Sequence, residues 1–426
     1  MTTRDGSRQA LFPPQQARRA YAWTLFGLSF GLMMSDHMSR QVLSGVFPLL
    51  RQEWGLGDAQ LGALSGVVAL MVGVLVVPFS IAADLFGRVR SVAAMALLWS
   101  FATAACGLAA NFDQMLLARI GVGVGEAAYG SVGAAVLLTL FPKEMRATVV
   151  GAFLAGAVFG SVIGIALGAK VAALWGWRSA FLLMAAIGVV LALLYLAAAR
   201  DDRVGAAERR DNSSLAFSAA RLKSLGAQLF GVPSVCFAFI ASGLQLFVAA
   251  AYVTWLPSYL NRAYAMPLAE AGAAAAIFIL LSGAGMILCG VAADRASRTD
   301  RARKVSCAVL YCLIVFVALG GALSCAPGYG QLALLALGMV FVAGAGGVGG
   351  AVVANGVDPA IHATALATLT LANNIFGLAP GPFVTGLLAD RYGLAFAMQV
   401  APIASLVAAG LFWLCRGHYA RDSAPR

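Results

Sequence analysis

The chain alternates between long apolar runs and short polar segments along almost its whole length. Each run is long enough for an α-helix to cross the hydrocarbon core of a bilayer, which takes about 20 residues. Lipid cannot hydrogen-bond to backbone groups, so such runs form helices, which satisfy those groups internally. The pattern predicts an all-α membrane protein with twelve transmembrane helices. The predicted spans are 21–50, 59–83, 91–110, 114–141, 147–174, 179–199, 232–260, 269–293, 304–326, 331–354, 364–389 and 394–415.

The overall composition agrees with this class. Of the 426 residues, 61% are hydrophobic and 11% are charged, whereas a soluble domain has about 25% charged residues. This balance excludes soluble enzymes, secreted disulfide scaffolds and disordered regulators. The first apolar run is too long for the core of a cleavable signal peptide and contains Asp36, so we expect it to remain as the first span.

Lysine and arginine are distributed unevenly over the predicted loops. Twelve spans place both termini on one side, and 22 Lys and Arg residues fall on that side against four on the other. By the positive-inside rule, we expect both termini in the cytoplasm of a multi-pass protein of the plasma (inner) membrane. The same distribution explains the net charge of +11 without a nucleic-acid partner.

Two sequence signals recur at one spacing. WGLGDAQLG begins at Trp54 before span two, and YAMPLAEAG begins at Tyr264 before span eight. SIAADLFGR, which contains Asp84, follows span two, and GVAADRASR, which contains Asp294, follows span eight, so both pairs are 210 residues apart. Self-similarity at one offset predicts two pseudo-symmetric six-helix halves.

The halves are predicted at 21–199 and 231–415, with 1–20 and 416–426 as cytoplasmic tails and 200–230 as a cytoplasmic linker. The linker contains charge-rich stretches followed by SSLAFSAARLKSLGAQLF, whose apolar residues have near-helical spacing. A helix lying on the membrane surface and a flexible connection are both consistent with this pattern.

The segments after spans two and eight resemble the loop motif of the major facilitator superfamily. The first is Ser80-Ile-Ala-Ala-Asp84-Leu85-Phe86-Gly87-Arg88-Val89-Arg90, with Ser80 and Leu85 where the motif has Gly and Arg; the second, Gly290-Val-Ala-Ala-Asp294-Arg295, keeps both. The resemblance implies the major facilitator fold, transport by alternating access and a charged cytoplasmic gate that holds one conformation. The predicted gate residues are Asp84, Gly87, Arg88, Arg90, Asp294, Arg295 and Arg298.

Three further stretches resemble the spinster-like branch of that superfamily. They are Arg119-Ile-Gly-Val-Gly-Val-Gly-Glu126-Ala in span four, SDHMSRQVL from Ser35 in span one, and TWLPSYL from Thr254 in span seven. The branch commonly has Arg after the span-one Asp, where this chain has His37. The resemblance adds lysolipid-like amphiphiles to the candidate substrates.

Spans one and four carry ionisable residues that are costly to bury. A charge at the bilayer centre costs on the order of 2.5 to 3.5 kcal/mol on insertion scales, so such residues are functional candidates. Arg40 follows Asp36 by four residues, and Arg119 precedes Glu126 by seven. Both spacings place the two side chains on one helix face, so we predict one opposite-charge pair within each helix.

We interpret Asp36, Glu126 and Arg119 as a proton-coupling site. A buried carboxyl group binds a proton more tightly than an exposed one, and a nearby arginine weakens that binding. Movement of Arg119 relative to the two carboxyl groups would then couple proton binding to conformation. Static pairs that only neutralise buried charge are the alternative. Arg40 and Arg119 are also candidates for binding an anionic substrate group.

Other polar and aromatic residues of the spans are candidates to line a substrate path, although packing and interhelical hydrogen bonds explain them as well. The candidate substrate-binding residues are Arg40, His37, Arg119, Tyr129, Gln245, Tyr252, Trp255, Asn373 and Asn374. The seven cysteines include no CxxC pair and the three histidines are far apart in sequence, so neither a metal site nor a cofactor is predicted.

Glycine and proline patterns predict two packing features. Gly156, Gly160, Gly164 and Gly168 recur every four residues in span five, a spacing typical of close helix contact. Pro380 and Pro382 should kink span eleven, because proline removes a helix hydrogen bond.

Together these features predict a secondary active transporter, proton-coupled and working by alternating access on an organic anion or a lysolipid-like amphiphile. A proton-driven drug efflux antiporter is the alternative within the same class. A membrane-embedded enzyme and a transporter-derived sensor are the alternatives outside it, and we do not expect an enzyme because the short loops offer no nucleophile with a base. The expected partners are a small-molecule substrate, protons and the lipid bilayer, with no nucleic acid, and we expect a monomer.

Overall fold

A computed structural model describes residues 15–199, 229–298, 301–358 and 361–422. The linker predicted at 200–230 and the outermost residues of the two predicted tails lie almost entirely outside these ranges. Within them the chain forms twelve helices that run back and forth through one bundle, four of them broken into two segments. They are α1 Gln15–Trp54, α2 Asp58–Phe86, α3 Arg88–Leu108, α4 Phe112–Glu126 and Tyr129–Leu140, α5 Arg146–Trp175, α6 Trp177–Ala198, α7 Pro233–Ala263, α8 Leu268–Ser297, α9 Arg301–Ala322, α10 Tyr329–Val342 and Gly346–Gly356, α11 His362–Asn373 and Pro380–Tyr392, and α12 Leu394–Val400 and Ile403–Asp422.

The prediction of twelve helices is confirmed, with differences at the ends. The first helix already begins at Gln15, and the last continues to Asp422, so both helices extend into the segments predicted as tails. In the described residues, ten helices are long and apolar enough to cross a membrane. The other two are α1, whose polar run from Ser35 to Gln41 lowers its hydropathy, and α11, which is interrupted.

The turns before α2 and α8 repeat at the level of the backbone. Gly55 adopts a φ of 65° directly after α1, and Ala265, which lies 210 residues later, adopts a φ of 51° after α7. Within the described residues, Ala265 is the one residue other than glycine that has a positive φ. This conformation is energetically unfavourable for any residue that carries a side chain. The same turn in both halves therefore supports the duplication inferred from sequence.

Close packing of α1 on α5 follows the predicted glycine spacing. A methyl group added at Gly164 would lie 2.8 Å from the Cα atom of Met38, and one at Gly168 would lie 2.8 Å from Cγ2 of Val42. Gly160 faces the backbone of Met34 in the same way. Small residues on α5 thus let the backbone of α1 approach, which fixes the position of the polar run in α1.

The predicted distortion of α11 is present. A π-helical turn spans Asn374–Leu378 and ends two residues before Pro380. It is closed by a hydrogen bond of 3.0 Å from the Ala379 amide to the Asn374 carbonyl. Proline has no backbone N–H, so it cannot donate a hydrogen bond to the carbonyl one turn earlier in the helix. The wider π-helical turn accommodates the carbonyls that are left without this donor.

Among the described helices, α2 with α11 and α5 with α8 form the most extensive contacts between the halves, and α1 also packs against α7. We call the side of the bundle where α1 begins and α12 ends the terminal side, and the other side the opposite side. From the opposite side inward, Gly62 contacts the Pro382 backbone, Gly66 contacts the Ala379 carbonyl and Gly73 contacts the Asn374 side chain. The halves are therefore in close contact from the opposite side down to the middle of the bundle.

Candidate functional site

A buried ion pair connects α1 and α4 in the first half. Arg40 Nη2 lies 2.6 Å and Arg40 Nε lies 3.0 Å from the same oxygen, Oε2 of Glu126. The Glu126 side chain has no solvent exposure. The pairing differs from the sequence prediction, because Arg40 reaches across to Glu126 rather than pairing with Asp36 on its own helix. Helix packing brings the two partners together although they are 86 residues apart.

A second carboxyl group adjoins this pair. Asp36 is 5% exposed, and its carboxyl group is an electrostatic neighbour of Glu126 and Arg40. His37 Nδ1 is 3.4 Å from Asp36 Oδ2. Asp36 Oδ1 and Glu126 Oε1 each receive no hydrogen bond from the described part of the chain. Buried acceptors without a donor are costly, and a proton on either carboxyl group would lower that cost.

Arg119 takes a different position from the predicted one. It is fully buried, and its guanidinium donates to three backbone carbonyls, those of Leu64 at 3.1 Å, Ser39 at 3.1 Å and Arg40 at 3.3 Å. The predicted pair of Arg119 with Glu126 on the same helix is thus replaced by a link from α4 to α1 and α2. Arg119 holds in place the backbone that carries Arg40.

A cavity of about 250 Å³ lies between the two halves, beside the buried charges. His37, Arg40 and Arg119 all line it, as three of the predicted substrate residues. Sequence reasoning missed five further polar lining residues, which are Gln41, Ser65, Ser161, Thr254 and Ser282. Gln41 follows His37 by four residues and therefore lies on the same helix face, a signal that was available in the sequence.

The aromatic candidates lie outside the wall of this cavity and bond to backbone carbonyls. Tyr129 donates to the Ser29 carbonyl at 2.6 Å, and Tyr252 donates to the Met398 carbonyl at 2.9 Å. Trp255 donates to the Pro382 carbonyl at 3.0 Å. All three side chains are buried. Buried Tyr and Trp need a partner for their polar atom, and here the partner is the helix backbone.

The amide candidates also lie away from the cavity wall. Gln245 donates to the Val342 carbonyl at 2.9 Å and accepts from Ser405 at 2.7 Å. Asn374 donates to the Thr370 carbonyl at 2.9 Å within the π-helical region, and Asn373 is half-buried beside it.

The predicted gate residues lie at the terminal side, and the two aspartates among them each form an ion pair within their own half. Asp84 accepts from Arg88 at 2.9 Å, and Asp294 accepts from Lys304 at 2.6 Å. Gly87, with a φ of 98°, forms the joint between α2 and α3. Arg90 is exposed, and Arg295 and Arg298 lie at the end of α8.

The opposite side carries a charged contact between the halves that sequence reasoning missed. Arg262 on α7 donates to both carboxylate oxygens of Asp58 on α2, and Arg51 donates to Asp58 at 3.0 Å. Asp390 on α11 accepts from the backbone amides of Asp58 and Ala59. Among the residues in the four described ranges, no group of three or more His, Cys, Asp or Glu could hold a metal ion.

The sequence profile of the Major Facilitator Superfamily matches residues 28–375. The chain belongs to this superfamily. It is 30% identical over 283 residues to the "Probable L-galactonate transporter" of Escherichia coli (strain K12), an alignment that covers 63% of this chain and 60% of that protein. It is 27% identical to the "Probable sphingolipid transporter spinster homolog 2" of Arabidopsis thaliana, over 88% of this chain and 80% of that protein.

The fold is also that of a solved structure, a bacterial homolog of the human lysosomal transporter Spinster in an inward-facing, unoccupied conformation. The TM-score is 0.84 at 19% identity, covering 94% of this chain and 98% of that one. The expected resemblance to spinster-like proteins is confirmed in sequence by the Arabidopsis relative and in fold by this structure. This member of the superfamily is a multi-pass membrane transporter rather than an enzyme.

Proposed function

We propose that this transporter couples the movement of an organic anion to the movement of a proton, with Arg40 and Glu126 as the coupling pair. The observation that carries the proposal is the ion pair itself, which lies between a fully buried carboxylate and an arginine on the cavity wall. The Glu126 carboxylate therefore binds the Arg40 guanidinium at the place where a substrate anion would bind.

A proton on Glu126 changes the state of Arg40. Neutralising the carboxylate removes the partner of a largely buried guanidinium, and an unpaired buried charge is strongly unfavourable. An anion entering the cavity restores the pairing, because guanidinium binds carboxylates and other oxyanions well. Proton and anion therefore bind together and leave together, which is symport.

Asp36 extends the proton site. Its carboxyl group adjoins that of Glu126, and each has an oxygen without a donor. A proton held between them lowers the repulsion of two adjacent carboxylates. Arg119, bonded to the Ser39 and Arg40 carbonyls, positions this part of α1 and transmits movement of α4 to it.

Several further features belong to the same proposal. The protein lies in the inner membrane with both termini in the cytoplasm, as the excess of Lys and Arg on the terminal side favours. It functions as a monomer, and the clusters around Asp84 and Asp294 act as the cytoplasmic gate. The names of the two relatives described above refer to a sugar acid, L-galactonate, and to a sphingolipid. An anionic or amphiphilic substrate is consistent with both names.

Proton uptake on binding tests the coupling. Purified protein in weakly buffered detergent solution is mixed with benzenesulfonate, a compact anion that stays charged at all working pH values, and a pH indicator reports protons taken up. We expect uptake approaching one proton per bound anion in the wild type and none in Glu126→Gln. Glu144→Gln, which changes an exposed carboxylate in the loop after α4, should behave as the wild type. Equal uptake by Glu126→Gln would disprove the assignment.

A further inference from the structure

The walls of the central cavity differ in chemistry between the two halves. The first half contributes most of the polar lining, with Arg40, His37 and Gln41 on α1, Ser65 on α2 and Ser161 on α5. The second half contributes a mainly apolar wall, formed by Ala249, Ala250, Val253, Ile279, Leu378 and Pro382. Thr254 and Ser282 are the polar lining residues of the second half.

Each wall favours a different part of a ligand. A charged group needs donors in place of water, and the first half supplies the Arg40 guanidinium together with hydroxyl and amide groups. Ser65 also lines the cavity, and its Oγ has no hydrogen-bond partner in the described chain. A hydroxyl placed against Val253 and Ile279 would lose its water without replacement, which is unfavourable, whereas an apolar group there gains from burial.

The size of the cavity limits the ligand further. Its 250 Å³ correspond to roughly eight molecules of liquid water at about 30 Å³ each. Pockets for drug-sized ligands are larger, about 300 to 1,000 Å³. A long acyl chain would extend beyond this volume, and the hydroxyl groups of a heavily hydroxylated acid would meet the apolar wall.

We propose that the transported anion is a compact amphiphile, with a single carboxylate or sulfonate group bound at Arg40 and a short apolar or aromatic body against Val253 and Ile279. This substrate class rests on the function proposed above. The orientation follows from the two walls: the charged end faces the first half and the apolar end faces the second.

A comparison of three probes tests the class. Binding of benzenesulfonate, gluconate and a lysophosphatidic acid to the purified protein is measured from the ligand-dependent shift in thermal unfolding. Benzenesulfonate has the compact apolar body, gluconate the hydroxylated one and the lysolipid the long chain. We expect benzenesulfonate to bind at least about tenfold more tightly than either of the others, the discrimination that an apolar pocket provides.

Substitutions in the apolar wall test the orientation. Ile279→Ser should weaken benzenesulfonate binding by about tenfold or more. The ratio of benzenesulfonate affinity to gluconate affinity should fall accordingly. Ile277→Ser serves as the matched control, because Ile277 lies on the same helix but is 62% exposed and does not line the cavity. It should leave binding unchanged.

The outcomes separate this proposal from the preceding one. Tighter binding of gluconate or of the lysolipid than of benzenesulfonate, or equal effects of Ile279→Ser and Ile277→Ser, would overturn the compact amphiphile. Proton uptake with the preferred probe would still stand in that case. Selective benzenesulfonate binding without proton uptake would instead overturn the coupling and leave the substrate class supported.

Discussion

Arg262 in the second half forms a two-pronged ion pair with Asp58 in the first half. Its Nη1 and Nη2 atoms lie 2.7 and 2.6 Å from the two carboxylate oxygens, and Asp58 is only 2% exposed. Asp390 adds a second contact nearby by accepting from the Asp58 amide at 2.6 Å. A carboxylate at a helix N-terminus is favourable, so the second half holds both the charge and the end of α2. In the proposed alternating-access cycle, both contacts break when the opposite side opens.

Loss of Arg262 should favour opening of the opposite side. Among the described residues, Arg262→Ala leaves Arg51 as the ion-pair partner of the Asp58 carboxylate, and a lost hydrogen bond to a charged group is worth about 1.5 to 3 kcal/mol. We expect the population open on the opposite side to rise about tenfold or more, measured as the distance between spin labels placed on the two halves at that side. Arg391→Ala, which changes an exposed arginine on the same side, should leave the distances unchanged. Unchanged distances in Arg262→Ala would show that the contact does not stabilise closure.

Gly66 should be needed for closure between α2 and α11. A methyl group at this position would collide with the Ala379 carbonyl, and overpacking costs about 1 to 3 kcal/mol. Gly66→Ala should therefore shift the protein toward conformations with the opposite side open and lower the transport rate, while the fold is retained. Gly130→Ala provides the control, because nothing lies within 4 Å of an added Cβ there. Normal transport by Gly66→Ala would contradict the role of this contact.

Arg119 should contribute chiefly to stability. Its three hydrogen bonds go to backbone carbonyls, and leaving a buried acceptor unsatisfied costs about 1 to 3 kcal/mol. Arg119→Ala should lower the thermal stability of the protein in detergent substantially, whereas Arg40→Ala should lower anion binding with a smaller loss of stability. The reverse ranking, with Arg119→Ala stable and unable to bind an anion, would place the anion at Arg119 instead.

Acid should weaken a contact at the end of α1. The Trp177 indole N–H donates to Glu53 at 2.7 Å, and this bond, with one from Arg178, lowers the pKa of Glu53. A carboxyl group with a lowered pKa stabilises the fold above its ordinary pKa, and that contribution is lost as pH falls through the lowered value. Between pH 6 and pH 3, the unfolding temperature should therefore fall less in Glu53→Gln than in the wild type. An identical pH profile in the variant would show that Glu53 contributes nothing.

Hydropathy and the repeat predicted most of the architecture. Helix positions follow from local composition, because each run must satisfy its own backbone in lipid. The interruption of α11 was predictable from Pro380, and the contact of α1 with α5 from the glycine spacing. The start of α1 was missed because the residues before Tyr21 are polar and basic, and amphipathic ends carry little hydropathy signal.

The site was predicted as a set of residues but not as a set of contacts. Asp36, Arg40, Arg119 and Glu126 were identified from the cost of burying charge. Their partners depend on how helices rotate against each other, and helical spacing describes only one helix at a time. Arg40 therefore had Asp36 as its expected partner, whereas packing gives it Glu126. The contact of Arg262 with Asp58 spans 204 residues and has no local signature.

The coupling role of Glu126 is tested most directly by separating exchange from accumulation. In proteoliposomes, uptake of labelled benzenesulfonate is measured once with unlabelled anion inside and no gradient, and once against its gradient with an inward proton gradient. For Glu126→Gln we expect exchange to persist and proton-driven accumulation to be lost, while Glu144→Gln retains both. Proton-driven accumulation by Glu126→Gln at the wild-type level would contradict the account.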